Sequence, residues 1–278
     1  MHATIRILAG CLIVAVAHGD ILVTRSTIHT GQVIKVTNAG VAIKVGESEF
    51  TVPRQDVLSA DVAKPDAFEK SLTALRAGKN QDALAGFKTI VDRYAGLPLP
   101  WAEESLLRLG DVQIAMKDYV GAKKTFDNFD VLYPQSAFAS AVDAKCARIL
   151  FAQGQTDKAL SAIQAVIDPL LKRDYLSDEQ EAAVAECLVV QGDCLVAAGR
   201  HDDALDSYLK VVTLFDADED QVAIAKHKAG KLFEQRGNWR RAKQNYEELV
   251  KDNQNATITA DAKKLLMDLT KAHPDDGK

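Results

Sequence analysis

The stretch WAEESLLRLGDVQIAMKDYVGAKKTFDNFDVLYP, residues 101–134, decides the fold. Leu106, Leu109 and Gly110 fall in its first half, Tyr119, Ala122 and Phe126 in its second, and Pro134 stops it. These offsets describe two helices that cross where Gly110 and Ala122 remove side-chain bulk. The backbones then approach to the short end of the usual ~8–10 Å separation, and larger residues interlock around them. Four other stretches repeat the second half of the pattern. A turn Gly is followed five residues later by Ala and four further on by a bulky residue: Gly78/Ala83/Phe87, Gly154/Ala159/Ile163, Gly199/Ala204/Tyr208 and Gly237/Ala242/Tyr246. Glycine suits the left-handed conformation that ends a helix, and in 101–134 Lys117 stands in its place. Such periodicity is the signature of a helical solenoid, in which a repeat cannot bury its own apolar face and must stack on its neighbours.

Leu109-Gly110, Ala122, Phe126 and Pro134 together resemble the tetratricopeptide repeat, and the resemblance extends over residues 66–272. Gly192 and Gly230 keep the small residue of the first helix, while Ser71 and Ala147 replace it in the first and third repeats. The anchor alanines 83, 122, 159, 204 and 242 are 39, 37, 45 and 38 residues apart, against about 34 in the standard repeat. Longer helices or turns are implied, as in tetratricopeptide proteins of bacterial envelopes. The expected fold is mainly α, a solenoid of about five helix pairs closed by a C-terminal capping helix carrying Ala262, Leu265, Leu266 and Leu269. Residues 273–278 read as a loose tail.

Residues 20–62 have a different period. Asp20–Arg25, Gln32–Thr37, Val41–Val45, Glu49–Val52 and Asp56–Val62 are short and rich in β-branched residues, with turn signals at Thr30-Gly31, Asn38-Ala39-Gly40 and Gly46-Glu47-Ser48. In the middle strand Val41, Ile43 and Val45 alternate with Ala42 and Lys44. Strand count and turn placement resemble a small SH3-like or Sm-like barrel, expected to cap the first repeat or touch a partner. Binding of cell-wall glycan is the alternative.

Residues 1–19 look like an export signal: Arg6, an apolar core from Ile7 to Ala17, and small residues at Ala15-Val16-Ala17 or Ala17-His18-Gly19. The competing reading is a lipobox, Leu8-Ala9-Gly10-Cys11, with Cys11 lipidated. Against it, the apolar stretch continues past Cys11 to Ala17. No apolar run reaches the roughly 18 residues of a membrane-spanning helix. Loss of Arg6 would make the net charge of −5 one unit more negative, and no basic stripe supports nucleic-acid binding. Cys187 and Cys194 on one helix would lie about 10 Å apart, too far for a disulfide; a bridge from Cys146 in the preceding repeat to one of them is the alternative, while the odd count and the helical settings favour buried thiols.

No catalytic, cofactor or metal motif emerges. The histidines are scattered, and none of the zinc-protease, nucleophile-elbow or nucleotide-binding sequences occurs. Asp216, Asp218 and Asp220 mimic the start of a calcium loop, but Gln221 and His227 occupy its essential Gly and Glu positions. The cluster better supports a helix start. The resemblance instead places function in the concave groove lined by the first helix of each repeat. Its positions fall on Glu104, Leu107, Asp111 and Ile114; on Ala144, Arg148 and Phe151; on Glu186, Val189, Asp193 and Val196; and on His227, Lys231 and Glu234. One row, Asp111, Arg148, Asp193 and Lys231, alternates in sign and suits either a peptide ligand or pairing on a solvated face. The expectation is a non-catalytic, exported scaffold that binds envelope proteins or peptides, such as parts of outer-membrane assembly, Tol-Pal-type, secretion or cell-wall complexes.

Overall fold

The computed structural model describes residues 19–216, 218–252 and 256–274. The expected export segment, including Cys11 but for its last residue, and residues 275–278 of the expected tail lie outside the described residues.

Five strands come first: β1 (Asp20–Thr24), β2 (Ile28–Thr37), β3 (Gly40–Val45), β4 (Ser48–Val52) and β5 (Val57–Asp61), all antiparallel in the order β4-β3-β2-β1-β5. The ten-residue β2 belongs to both halves of the sheet, pairing with β1 through its first residues and with β3 through its last. The register shifts between Val33 and Lys35, and such a bulge bends a strand. The edges β4 and β5 do not pair, so the sheet stays open and the expected barrel is not formed. The apolar face needs no closure because Leu22, Val33, Val41 and Ile43 share one buried core with Phe87 and Ile90 of the following helices. Arg93 fastens this contact, donating from Nε and Nη2 to the Val33 carbonyl at 2.9 and 2.6 Å.

The turn expected at Thr30-Gly31 is also corrected. The chain reverses earlier, where Thr24 Oγ1 accepts from the Thr27 amide at 3.0 Å and donates to the Thr27 carbonyl at 2.8 Å. Gly31 lies inside β2, where a Cβ would fall 2.2 Å from the Lys44 carbonyl oxygen. Close backbone approach explains this glycine.

Eleven α-helices follow among the described residues: α1 (Asp66–Arg76), α2 (Asn80–Tyr94), α3 (Pro100–Ala115), α4 (Tyr119–Leu132), α5 (Ala139–Ala152), α6 (Thr156–Leu170), α7 (Asp178–Ala197), α8 (His201–Leu214), α9 (Glu219–Gln235), α10 (Trp239–Asp252) and α11 (Ala256–Ala272). The first ten form five hairpins. Each first helix ends in a residue with left-handed backbone: Gly78, Lys117, Gly154, Gly199 or Gly237, with φ between 62° and 75°. The Lys117 turn has the same hydrogen bonds as the glycine turns, its amide reaching the Ile114 carbonyl at 2.9 Å and the Asp118 amide the Gln113 carbonyl at 2.8 Å. Asp118 then caps α4.

The helix crossings show why small residues recur. A Cβ on Gly110, Gly192 or Gly230 would fall 2.2, 2.3 or 2.6 Å from Cε1 of Phe126, Tyr208 or Tyr246. All five anchor alanines are fully buried. The 45-residue interval comes from the connection at 171–177 and from α7, which is 20 residues long and opens with a capping box at Ser177. α11 buries Ala262 and Leu269 at the end of the stack. His273, expected to begin the tail, is held: its ring stacks on Trp239 at 4.0 Å and its carbonyl accepts from Lys243.

Buried apolar residues fall into two clusters, one spanning the sheet to α4 and the other α6 to α11, and both draw on α5 and α7. The solenoid also curls. The turn after α1 meets the start of α11 around a cavity of about 420 Å3 lined by Gly78, Asn80, Thr257 and Ile258 among others.

Candidate functional site

The inner side of the curl is made by the first helices of the five pairs, and one open cavity of about 710 Å3 touches all of them. Its wall takes Leu75 and Arg76 from the end of α1, then Leu107, Arg108 and Asp111 from α3. Lys145 and Arg148 come from α5, Asp178, Glu179 and Glu186 from the first half of α7, and Asp218, Asp220 and Gln221 from the start of α9. The cavity thus runs diagonally, from the C-terminal end of the earliest first helix to the N-terminal end of the last.

A chain of alternating charge crosses its floor. Arg108 pairs with Glu104 at 3.1 Å and Asp111 at 3.3 Å, Lys145 with Asp111 at 2.7 Å and Glu186 at 2.8 Å, and Arg148 Nε with Glu186 at 2.7 Å. Lys145 and Glu186 are 7% and 4% exposed. Burial alone would raise the Glu186 carboxyl, but the Lys145 and Arg148 cations reverse that and hold it down to about 2. Burial disfavours the Lys145 charge, yet Asp111 and Glu186 raise its pKa above the usual lysine value. These six residues balance, three of each sign.

Two buried polar atoms in the wall have no hydrogen-bond partner among the described residues: Arg148 Nη2 and Gln221 Oε1. Leaving such an atom unpaired costs about 1–3 kcal/mol. Asp218 caps α9, accepting from the amides of Asp220 at 2.9 Å and Gln221 at 3.1 Å. Its carboxyl is raised by burial, and Asp220 adds to the rise. The acidic cluster therefore starts a helix. Among the described residues no group of His, Cys, Asp or Glu is arranged to hold a metal ion, and no helix is long and apolar enough to cross a membrane.

Of the residues expected in the groove, Leu107, Asp111, Ile114, Arg148 and Glu186 line this cavity, and Glu104 is tied to it through Arg108. The others lie elsewhere. Ala144 and Val189 are fully buried in the core, which leaves them no surface to offer a ligand, and Phe151 and Val196 pack against the same core. Asp193 accepts from the Tyr208 hydroxyl at 2.7 Å and pairs with Lys228 at 2.7 Å. His227 and Lys231 reach Asp261 of α11 at 2.8 and 3.4 Å, and the Glu234 carboxylate, after burial, adds to the rise in the Tyr246 phenol. In the row of alternating sign, each member is paired with a residue outside the row.

Comparison with known families fits this geometry. Residues 58–232 match the tetratricopeptide repeat-like domain and residues 225–256 the tetratricopeptide repeat. The chain belongs to the tetratricopeptide repeat family. Among solved structures it is similar to TTC0263, a thermophilic tetratricopeptide protein of Thermus thermophilus. The identity is 14%, covering 74% of this chain and 98% of that one, with a TM-score of 0.50. It is also similar to BtubC of P. vanneervenii, at 15% identity over 77% and 86% of the two chains and a TM-score of 0.45. At such identity the first likeness shows a shared fold. No curated protein matches the sequence. A tetratricopeptide solenoid is by fold a scaffold for protein–protein interaction.

Arg108, Lys145 and Gln221 also line the cavity although the repeat positions did not point to them, and Asp218, read in the sequence as part of a helix start, joins them. Arg108 was visible as the centre of an i−4, i+3 ion-pair pattern with Glu104 and Asp111. Lys145 lies one turn before Arg148, but a buried lysine is unusual without a partner, and its partners come from α3 and α7. No local signal marks Gln221.

Proposed function

We propose that this chain is an exported, non-catalytic scaffold that holds a protein or peptide of the cell envelope in its concave groove. The carrying observation is an open cavity lined by all five first helices, with a charge-balanced floor and two unpaired polar atoms in its wall. An extended segment laid along the diagonal meets residues of each repeat in turn. Export rests on residues 1–19: Arg6, the apolar core and the small residues near 15–19 make a cleavable signal, with Cys11 lipidation as the alternative processing. The open sheet acts as the cap of the solenoid, since its apolar face is spent on the first repeat. Partners belonging to outer-membrane assembly, Tol-Pal-type, secretion or cell-wall complexes fit this reading.

The test is cross-linked co-purification from the host envelope, comparing the natural chain with Ala182→Trp, which fills the cavity from α7. A partner captured by the first and lost by the second supports the groove. A partner retained by both refutes it. Intact mass of the exported chain separates cleavage after residue 17 or 19 from lipid attachment at Cys11.

A further inference from the structure

The charge of the cavity is uneven. Its floor neutralises itself, because Glu104, Asp111 and Glu186 are consumed by Arg108, Lys145 and Arg148. The rim is different. Asp178, Glu179, Asp218, Glu219 and Asp220 line the cavity from the starts of α7 and α9, and none has an ion-pair partner within 4.0 Å among the described residues. The only other cation in the described lining is Arg76. Arg108 and Lys145 act on Asp218 from beyond ion-pair distance, yet the five rim carboxylates outnumber the one further cation, so an anion entering here is repelled and a cation attracted.

The unpaired atoms agree with that sign. Gln221, 8% exposed, carries a buried acceptor, Oε1, without a donor. Ammonium and guanidinium groups are donors only. Arg148 Nη2 is a donor without an acceptor, but the charge of Arg148 is already matched by Glu186. A neutral acceptor suits it better than a second carboxylate, and the commonest neutral acceptor on a polypeptide is the backbone carbonyl.

We propose that the cavity takes an extended partner segment bearing Lys or Arg, with the cation among the rim carboxylates beside Gln221 and a backbone carbonyl turned toward Arg148. This rests on the groove reading above and adds the chemistry of its occupant. Burial raises the Asp218 carboxyl and Asp220 adds to the rise, against the lowering by the Gln221 amide, Lys145 and Arg108, and an incoming cation would lower it further.

The experiment is selection of a displayed library of random nine-residue peptides on the full chain at about 50 mM salt, where surface electrostatics is weakly screened. Winners are then titrated against the natural chain and two variants. The expected result is enrichment of Lys and Arg, at least tenfold weaker binding to Glu179→Gln/Asp220→Asn, and loss of binding to Ala182→Trp. Should Ala182→Trp fail to fold by circular dichroism, Ala115→Trp, at an exposed position of the same wall, serves instead. Peptides that need an open cavity but show no basic enrichment, or ignore the rim variant, overturn the cationic inference and leave the groove standing. Peptides indifferent to the filled cavity overturn both. A library that yields no binder overturns the inference as well.

Discussion

Replacing Glu186 with Gln removes the central anion of the cavity floor while keeping its shape. Lys145 retains Asp111 at 2.7 Å, but Arg148 loses its charge partner. The magnitude follows from titration. The folded carboxyl is held at about 2 against a reference of 4.5, which at about 1.4 kcal/mol per pH unit corresponds to about 3 kcal/mol. This agrees with the roughly 3–5 kcal/mol lost when one partner of a buried pair is removed. A depressed folded pKa gives stability that is fully present above the unfolded value and lost as pH falls through the folded one. The natural chain should therefore exceed Glu186→Gln by about 3 kcal/mol at pH 7, and the gap should close between pH 4.5 and about 2. Urea unfolding of both proteins at a series of pH values measures it, since the titration of other carboxylates cancels in the difference. A gap that stays constant with pH, or is absent at pH 7, would refute the account of the floor as a buried ionic chain.

Lys117→Gly should stabilise the chain by up to about 1 kcal/mol, because φ of 62° is strained for a residue with a Cβ; a higher urea midpoint checks this. Gly110→Ala should destabilise by about 1–3 kcal/mol through the clash with Phe126, and Phe126→Leu should recover part of the loss in a double-mutant cycle. Arg93→Ala should cost about 1–2 kcal/mol and speed amide exchange in β2, since both donors to the Val33 carbonyl go. Cys187 and Cys194 are buried, Cys146 is half-buried and burial pushes its thiol up to about 11. All three should therefore resist maleimide at pH 7 until urea unfolds the chain; rapid labelling of the native protein would contradict this.

The helix pairs were legible because their cause is local in sequence. A close crossing admits only a small residue facing a large one, so Gly110 and Phe126, or Gly192 and Tyr208, leave their spacing in the chain. The strands were legible from β-branched runs, but closure was not. Whether β4 meets β5 depends on the bulge near Val33 and on the apolar face being taken up by α2, neither of which is written in residues 20–62 alone. Gly31 was read as a turn for the same reason, since the Lys44 carbonyl that excludes a Cβ comes from another strand.

Of the positions expected in the groove, Leu107, Asp111, Ile114, Arg148 and Glu186 line the cavity, whereas Phe151, Val189, Asp193, His227, Lys231 and Glu234 do not. A fixed repeat position assumes that every first helix presents the same height to the ligand. Here the lining moves from the end of α1 to the start of α9, so positions late in α7 and α9 leave the cavity while Asp218 and Gln221 enter it. Sequence alone determined the repeat, the hairpin turns and the small-against-large crossings, because each follows from contacts inside one helix pair. Tertiary structure alone decided the open sheet, because its apolar face is covered by α2, and the cavity with its charge, because these depend on the curl accumulated over five pairs, which brings together side chains more than a hundred residues apart.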